Sequence, residues 1–274
     1  VDDLIKRVLS SILLLSFVLT VIYAAPLWLF CVVIVAFVAT GQYEFFRMVA
    51  NRGIFVYRYF GIVAGAFVPV LVFLADGRSS LSSLQPFLIV VASLVTLTLQ
   101  FSRRDNARDH LISTALTLFS LLYVAWFFSF LIKLRTLENG ANLVAFLVLV
   151  TKISDMGAYA IGRLIGRREL IPRISPRKTK EGTAGGVVVS MITAYIAGIF
   201  MTGYSPFHLI CIGGVLAVIG QTGDLAESLI KRDCNVKDSG GYFAGIGGVL
   251  DLIDSLIFTA PVFYFYIVYS GMLS

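Results

Sequence analysis

The chain has 274 residues, 58% of them hydrophobic and 14% charged, and a formal net charge of +6. An average soluble domain carries about 25% charged residues, so a mean hydropathy of +0.90 leaves too little polar surface for a water-soluble globule. Three scattered cysteines, Cys31, Cys211 and Cys234, lack CxxC spacing, which speaks against a disulfide framework or a zinc site.

Nine apolar runs follow one another at residues 8–25, 27–42, 59–75, 86–101, 111–132, 143–162, 183–203, 207–223 and 248–271. Each is long enough, or nearly so, to cross a bilayer as a helix, which takes about 20 mainly apolar residues. The first, behind Lys6-Arg7, has the look of a signal peptide. Ala24-Ala25 before Pro26 makes a poor cleavage site, and the next run follows at once, so it reads as a retained span. The runs are too uniformly apolar for alternating barrel strands, and backbone groups in lipid must be satisfied internally. The expected fold is therefore an all-α, polytopic integral membrane protein of about nine transmembrane helices.

Basic residues set its orientation. With the N-terminus in the cytoplasm and each run crossing once, 18 of the 22 Lys and Arg residues fall in cytoplasmic segments. Only Arg78, Lys133 and Arg135 fall outside, and Lys152 lies within a run. This positive-inside bias predicts a C-terminus on the outer face of an inner or plasma membrane. The basic residues lack a soluble domain and aromatic interleaving, so a nucleic-acid partner is not expected. No repeat or linker breaks the chain. It reads as one membrane domain over 1–274, with N-terminal spans of unclear role (1–140) and the chemistry-bearing spans and loops in 141–274.

Ionisable residues within apolar runs cost about 2.5–3.5 kcal/mol each at a helix centre and so tend to face partners or water. Four clusters stand out. Lys152, Asp155 and Tyr159, with Ser154 among them, share one helix face by their spacing. A loop then brings Arg163, Arg167, Arg168, Ser175, Arg177, Lys178, Thr179, Lys180 and Glu181 among glycines, offering donors to an anionic phosphate. It contains no GxxxxGK[ST] and is not a P-loop. Asp224, Glu227, Ser228 and Lys231, followed by Arg232, form a polar stripe on a continuing helix. Lys237-Asp238-Ser239-Gly240-Gly241 precedes Gly247-Gly248, with Asp251 and Asp254 three residues apart at the head of the last span. Asp224, Asp251 and Asp254 together offer hard oxygen donors suited to Mg²⁺ or another divalent cation. The two histidines, His110 and His208, each begin a run alone, and nothing resembles a Ser-His-Asp triad.

From Ser228 to Asp254, the spacing of Ser228, Lys231-Arg232, Lys237-Asp238-Ser239-Gly240, Phe243, Gly247 to Asp251 and Asp254 resembles the signature of the phosphatidate cytidylyltransferases. Ser154-Asp155, Gly157 to Tyr159, Gly162-Arg163 and Ser175 to Gly182 extend the resemblance over the C-terminal half. Ala244, Ile246 and Leu252 depart from the family pattern, standing where proline or glycine, histidine and arginine are usual.

The resemblance implies transfer of the cytidylyl group of CTP to phosphatidic acid, giving CDP-diacylglycerol and pyrophosphate at the cytoplasmic face. It implies catalytic roles for Asp224, Asp251, Asp254, Lys231 and Lys237, the three aspartates also holding the metal. Substrate contacts are expected from Ser154, Asp155, Tyr159, Arg163, Ser175, Arg177, Lys178, Thr179, Lys180, Glu181, Ser228, Arg232, Asp238, Gly247 and Gly248. The expected partners are CTP, phosphatidic acid and membrane lipids, with homodimerisation left open. Two other readings stand beside it: a CTP-dependent polyprenol or phytol kinase, and a cation-coupled transporter. Carboxylates at one membrane face, without inverted halves, argue against the transporter.

Overall fold

The computed structural model describes residue 13 and residues 15–75, 83–102, 109–240 and 247–270. Each apolar run from residue 27 onward is helical over most of its described residues, and residues 15–23 of the first run are also helical. We label the helices α1 (Leu27–Asn51), α2 (Arg58–Leu74), α3 (Leu84–Gln100), α4 (His110–Thr136), α5 (Gly140–Ile165), α6 (Lys180–Met201), α7 (Pro206–Asp233) and α8 (Val249–Tyr269). Among the described residues, six helices are long and apolar enough to cross a membrane: α1 and α4 to α8. The runs at 59–75 and 86–101 form the shorter apolar helices α2 and α3. Lys6, Arg7, Ala244 and Ile246 lie outside the described residues.

The chain forms two compact units, Val1–Thr136 with Cys234–Leu252, and Leu137–Asp233 with Ile253–Ser274. In the first, α1 packs on α2 because two small residues open the surface of α2. Gly61 meets the ring of Phe46, and Gly65 meets the side chain of Gln42. α4 carries a π-helical segment over Leu121–Trp126. Just before it, Thr117 and Ser120 donate their hydroxyls to the carbonyls of Ser113 and Thr117, and Gln42 donates to the Ser120 hydroxyl at 3.2 Å. Side chains that compete for backbone carbonyls loosen the α-helical ladder at this point.

In the second unit, α6 buries Gly182, Gly186, Ser190, Ala194 and Gly198, one residue per turn and all small. Lipid tails give no hydrophobic drive for helices to associate, so small residues permit the close backbone approach that van der Waals attraction needs. Gly182 and Gly186 face Ala158 and Ser154 of α5, while Gly198 faces Leu209 of α7. Ser190 donates to the Gly213 carbonyl of α7 at 2.8 Å. The opposite face of α6 exposes Val188, Ile192, Ile196, Ile199 and Phe200, as a lipid-facing surface should.

Between α5 and α6 an antiparallel hairpin pairs β1 (Glu169–Ile171) with β2 (Ser175–Thr179), matching Glu169 to Thr179 and Ile171 to Ser175. Thr179 caps α6 by accepting from the Gly182 N–H at 3.1 Å. Glu181 reaches back to accept from the N–H groups of Arg167 and Arg168, at 3.0 and 3.1 Å. The basic loop is thus an ordered hairpin anchored to a helix start.

Candidate active site

The second unit gathers an alternating set of carboxylates and lysines. α7 runs on without a break past its apolar part to Asp233, so the expected polar stripe is helical. Asp224 and Glu227 of α7 and Asp254 of α8 each offer an oxygen within 4.8 Å of the other two. Each also has its own lysine. Lys178 of β2 lies 2.6 Å from Asp224, Lys231 lies 2.5 Å from Glu227, and Lys152 of α5 lies 4.0 Å from Asp254. Glu227 is fully buried and Asp254 nearly so. Carboxylates in such surroundings persist as ions only where opposite charges compensate them.

A second group surrounds this one. Lys152 donates to Ser255 at 2.9 Å and lies 3.7 Å from Asp155, while Ser255 donates to Asp155 at 3.1 Å. Ser228 lies 3.5 Å from Asp224, one turn away. Close packing lets the helices approach here, because a Cβ on Gly223 would come within 2.7 Å of the Asp254 carbonyl.

The other expected residues of the second unit take up separate positions. Arg232 donates to the Ile174 carbonyl at 3.3 Å and so ties α7 to the hairpin turn. Ser175 and Arg177 sit on β2, and Lys180 begins α6 with its N–H on the Arg168 carbonyl at 2.8 Å. Arg163, Arg177 and Lys180 are exposed, as is Tyr159 at 70%. Ser154 is buried and bonds the Gly186 carbonyl at 3.3 Å, a helix-packing contact. Gly185 and Gly186, which follow the basic loop, lie inside α6 and face Ile161 and Ala158 of α5.

Lys237, Asp238, Gly247, Gly248 and Asp251 belong to the first unit. Lys237 and Asp238 are exposed. Asp251 Oδ2 accepts from the Ser239 N–H at 3.1 Å, the Ser239 hydroxyl at 2.8 Å and the Gly248 N–H at 2.8 Å. Among the described residues, the carboxylates that meet closely enough to share a cation are Asp224, Glu227 and Asp254. Glu227 was visible at i+3 from Asp224 but blended into an ordinary helical stripe. Glu44 of α1 carries no signal in the sequence, because a lone carboxylate just beyond an apolar run forms no pattern.

The donor set fits a hard divalent cation. Three carboxylate oxygens, no sulfur or imidazole and two enclosed ligands suit Mg²⁺, which is held by few protein oxygens and shared with phosphates. The three lysines offset the carboxylates while leaving cationic donors beside them.

These features define an all-helical, multi-pass membrane protein with a buried carboxylate–lysine centre. A family model described as the cytidylyltransferase family matches residues 5–270, and the chain belongs to that family. Among relatives, the uncharacterized protein YnbB of Escherichia coli is 42% identical over 56% of this chain and 51% of its own. A phosphatidate cytidylyltransferase of Bacillus subtilis is 40% identical over 53% of this chain and 54% of its own. Another, of Staphylococcus saprophyticus, is 34% identical over 74% of this chain and 76% of its own. The chain spans about half the length of the first two relatives.

Proposed function

We propose that this protein transfers the cytidylyl group of CTP to phosphatidic acid, releasing pyrophosphate and forming CDP-diacylglycerol. The observation that carries the reading is the meeting of Asp224, Glu227 and Asp254, each beside a lysine. Family membership and the relatives named phosphatidate cytidylyltransferase support it.

In the proposed step, an oxygen of the lipid phosphate attacks the α-phosphorus of CTP and the bond to the β-phosphate oxygen breaks. A phosphate monoester has its second pKa near 6, so the attacking oxygen already carries charge and no dedicated base is needed. The problem is to bring two anions together. A divalent cation held by Asp224, Glu227 and Asp254 would supply charge neutralisation to the phosphates. Lys178 can exchange Asp224 for a phosphate oxygen, because both partners of that pair are partly exposed, at 26% and 32%. Arg163, Arg177 and Lys180, exposed on or beside the hairpin, would draw the triphosphate and the lipid head group. Lys231, Arg232 and Ser228 of the second unit keep their proposed catalytic and substrate-binding roles, as do Lys237, Asp238 and Asp251 of the first. Nine spans, a cytoplasmic N-terminus and a cytoplasmic reaction face complete the proposal, on the strength of the basic asymmetry.

The test is to incubate the purified protein with CTP, phosphatidic acid and Mg²⁺. Pyrophosphate and CDP-lipid are expected. CDP with a newly phosphorylated lipid alcohol, when one is supplied instead, would identify a kinase.

A further inference from the structure

Glu44 has no part in the chemistry so far described, yet its surroundings are built for it. The residue lies in α1 and is 1% exposed. Its Oε1 accepts from the Val249 N–H at 2.9 Å and its Oε2 from the Leu250 N–H at 2.8 Å. The Ser239 hydroxyl lies 3.1 Å from Oε2. Val249 and Leu250 open α8, and the first four N–H groups of a helix have no partner within it. The residue before them, Gly248, has no side chain to cap them. A carboxylate from another helix takes that role.

Asp251 completes the arrangement. It sits at the third position of α8 and accepts from the Gly248 N–H, the reciprocal half of a capping box. The Ser239 hydroxyl is within reach of both Asp251 and Glu44, at 2.8 and 3.1 Å, and its single proton can serve one at a time. Two glycines make the room. A Cβ on Gly248 would meet both Glu44 carboxylate oxygens at 2.6 Å, and one on Gly240 would meet Glu44 Cδ at 2.9 Å. A serine at position 248 would cap α8 without burying a charge in an apolar span. Glu44 therefore does more than cap: it fixes Ser239 and the Asp251 turn against α1.

We propose that Glu44 is a positioning residue for cytidylyl transfer, clamping the first turn of α8 and Ser239 so that Asp251 is held in one orientation. The inference rests on the proposed function. Its test uses the full-length chain in detergent, with Glu44→Gln and Ser239→Ala, read by hydrogen exchange over 247–252 and by steady-state kinetics. Glu44→Gln presents an amide NH₂ where an N–H acceptor is needed. Exchange at Val249 and Leu250 should quicken, and kcat should fall about tenfold or more, with the KM for CTP changing less than about threefold. Ser239→Ala keeps both carboxylates and should show a smaller fall in kcat with the same split. A purely structural role would lower kcat only in proportion to folded protein, and that result would overturn the proposal. So would unchanged exchange in Glu44→Gln. If Glu44→Gln does not fold, parent-like kcat in Ser239→Ala decides against it. A parent protein that makes no CDP-diacylglycerol sinks the underlying reading instead, while the exchange measurement still reports whether Glu44 holds the turn.

Discussion

Each carboxylate of the centre is paired with a lysine, Asp224 and Asp254 with one from another element and Glu227 with one a turn along its own helix, and the pairings differ in what they tolerate. Lys231 and Glu227 are both largely enclosed, so removing one charge strands the other, which typically costs 3–5 kcal/mol. Lys178 and Asp224 are partly solvated, and their separation should cost much less. Saturating Mg²⁺ is expected to raise the melting temperature of the parent protein by several degrees through linkage. Asp224→Asn and Glu227→Gln should lose that rise and most of the activity. A full Mg²⁺ shift retained in both variants would remove them as ligands. Lys178→Ala should fold well and lower activity about tenfold, the worth of one charge-assisted contact, and parent-like kinetics would leave Lys178 a purely structural partner of Asp224. At this scale the sequence was legible where chemistry and context conflicted. Asp224 and Asp254 follow or interrupt apolar runs. Glu227 and Glu44 were obscured, one by a regular stripe and one by isolation.

The small-residue face of α6 sets how closely α5 and α7 can approach it. A Cβ on Gly186 would meet Ala158 Cβ and the Gln221 amide at 2.8 Å and the Ser154 carbonyl at 2.9 Å. Neither backbone nor Cβ can swing aside, so Gly186→Val should cost about 1–3 kcal/mol or more. Its checks are a lowered melting temperature and loss of monodispersity in detergent. Gly214→Ala in α7 is the contrast. Its Cβ would meet only the Met191 side chain, at 3.6 Å or beyond, and replacing a helical glycine should be neutral or stabilising. Equal melting temperatures for the two variants would contradict the packing role of the stripe. The one-per-turn spacing of Gly182, Gly186, Ser190, Ala194 and Gly198 was present in the sequence. Its packing role is hidden there, because the basic residues before Gly182 give the start of the stripe the character of a phosphate-binding loop.

Over the whole molecule, orientation is the property most open to test. The basic asymmetry puts the 166–179 hairpin and Asp238 on the cytoplasmic face, with Glu138 and Ser205 opposite. Single cysteines placed at Arg177, Asp238, Glu138 and Ser205, after replacement of the three native thiols, should label in those two groups from either side of sealed vesicles. Labelling of Arg177 and Ser205 from one side would break the alternation, since α6 alone separates them.

Hydropathy was enough to determine an all-helical membrane protein, because the bilayer permits few architectures, while the resemblance to its family rests on the motif spacing over residues 228–254. The tertiary structure decided which charges meet. Asp224 and Asp254 lie 30 residues apart and Glu44 about 200 residues from Val249, and no local pattern encodes a contact over such a distance. Helix packing through small residues brought Glu227 into the carboxylate group, and placed Asp251 with Ser239 and Glu44 at the start of α8.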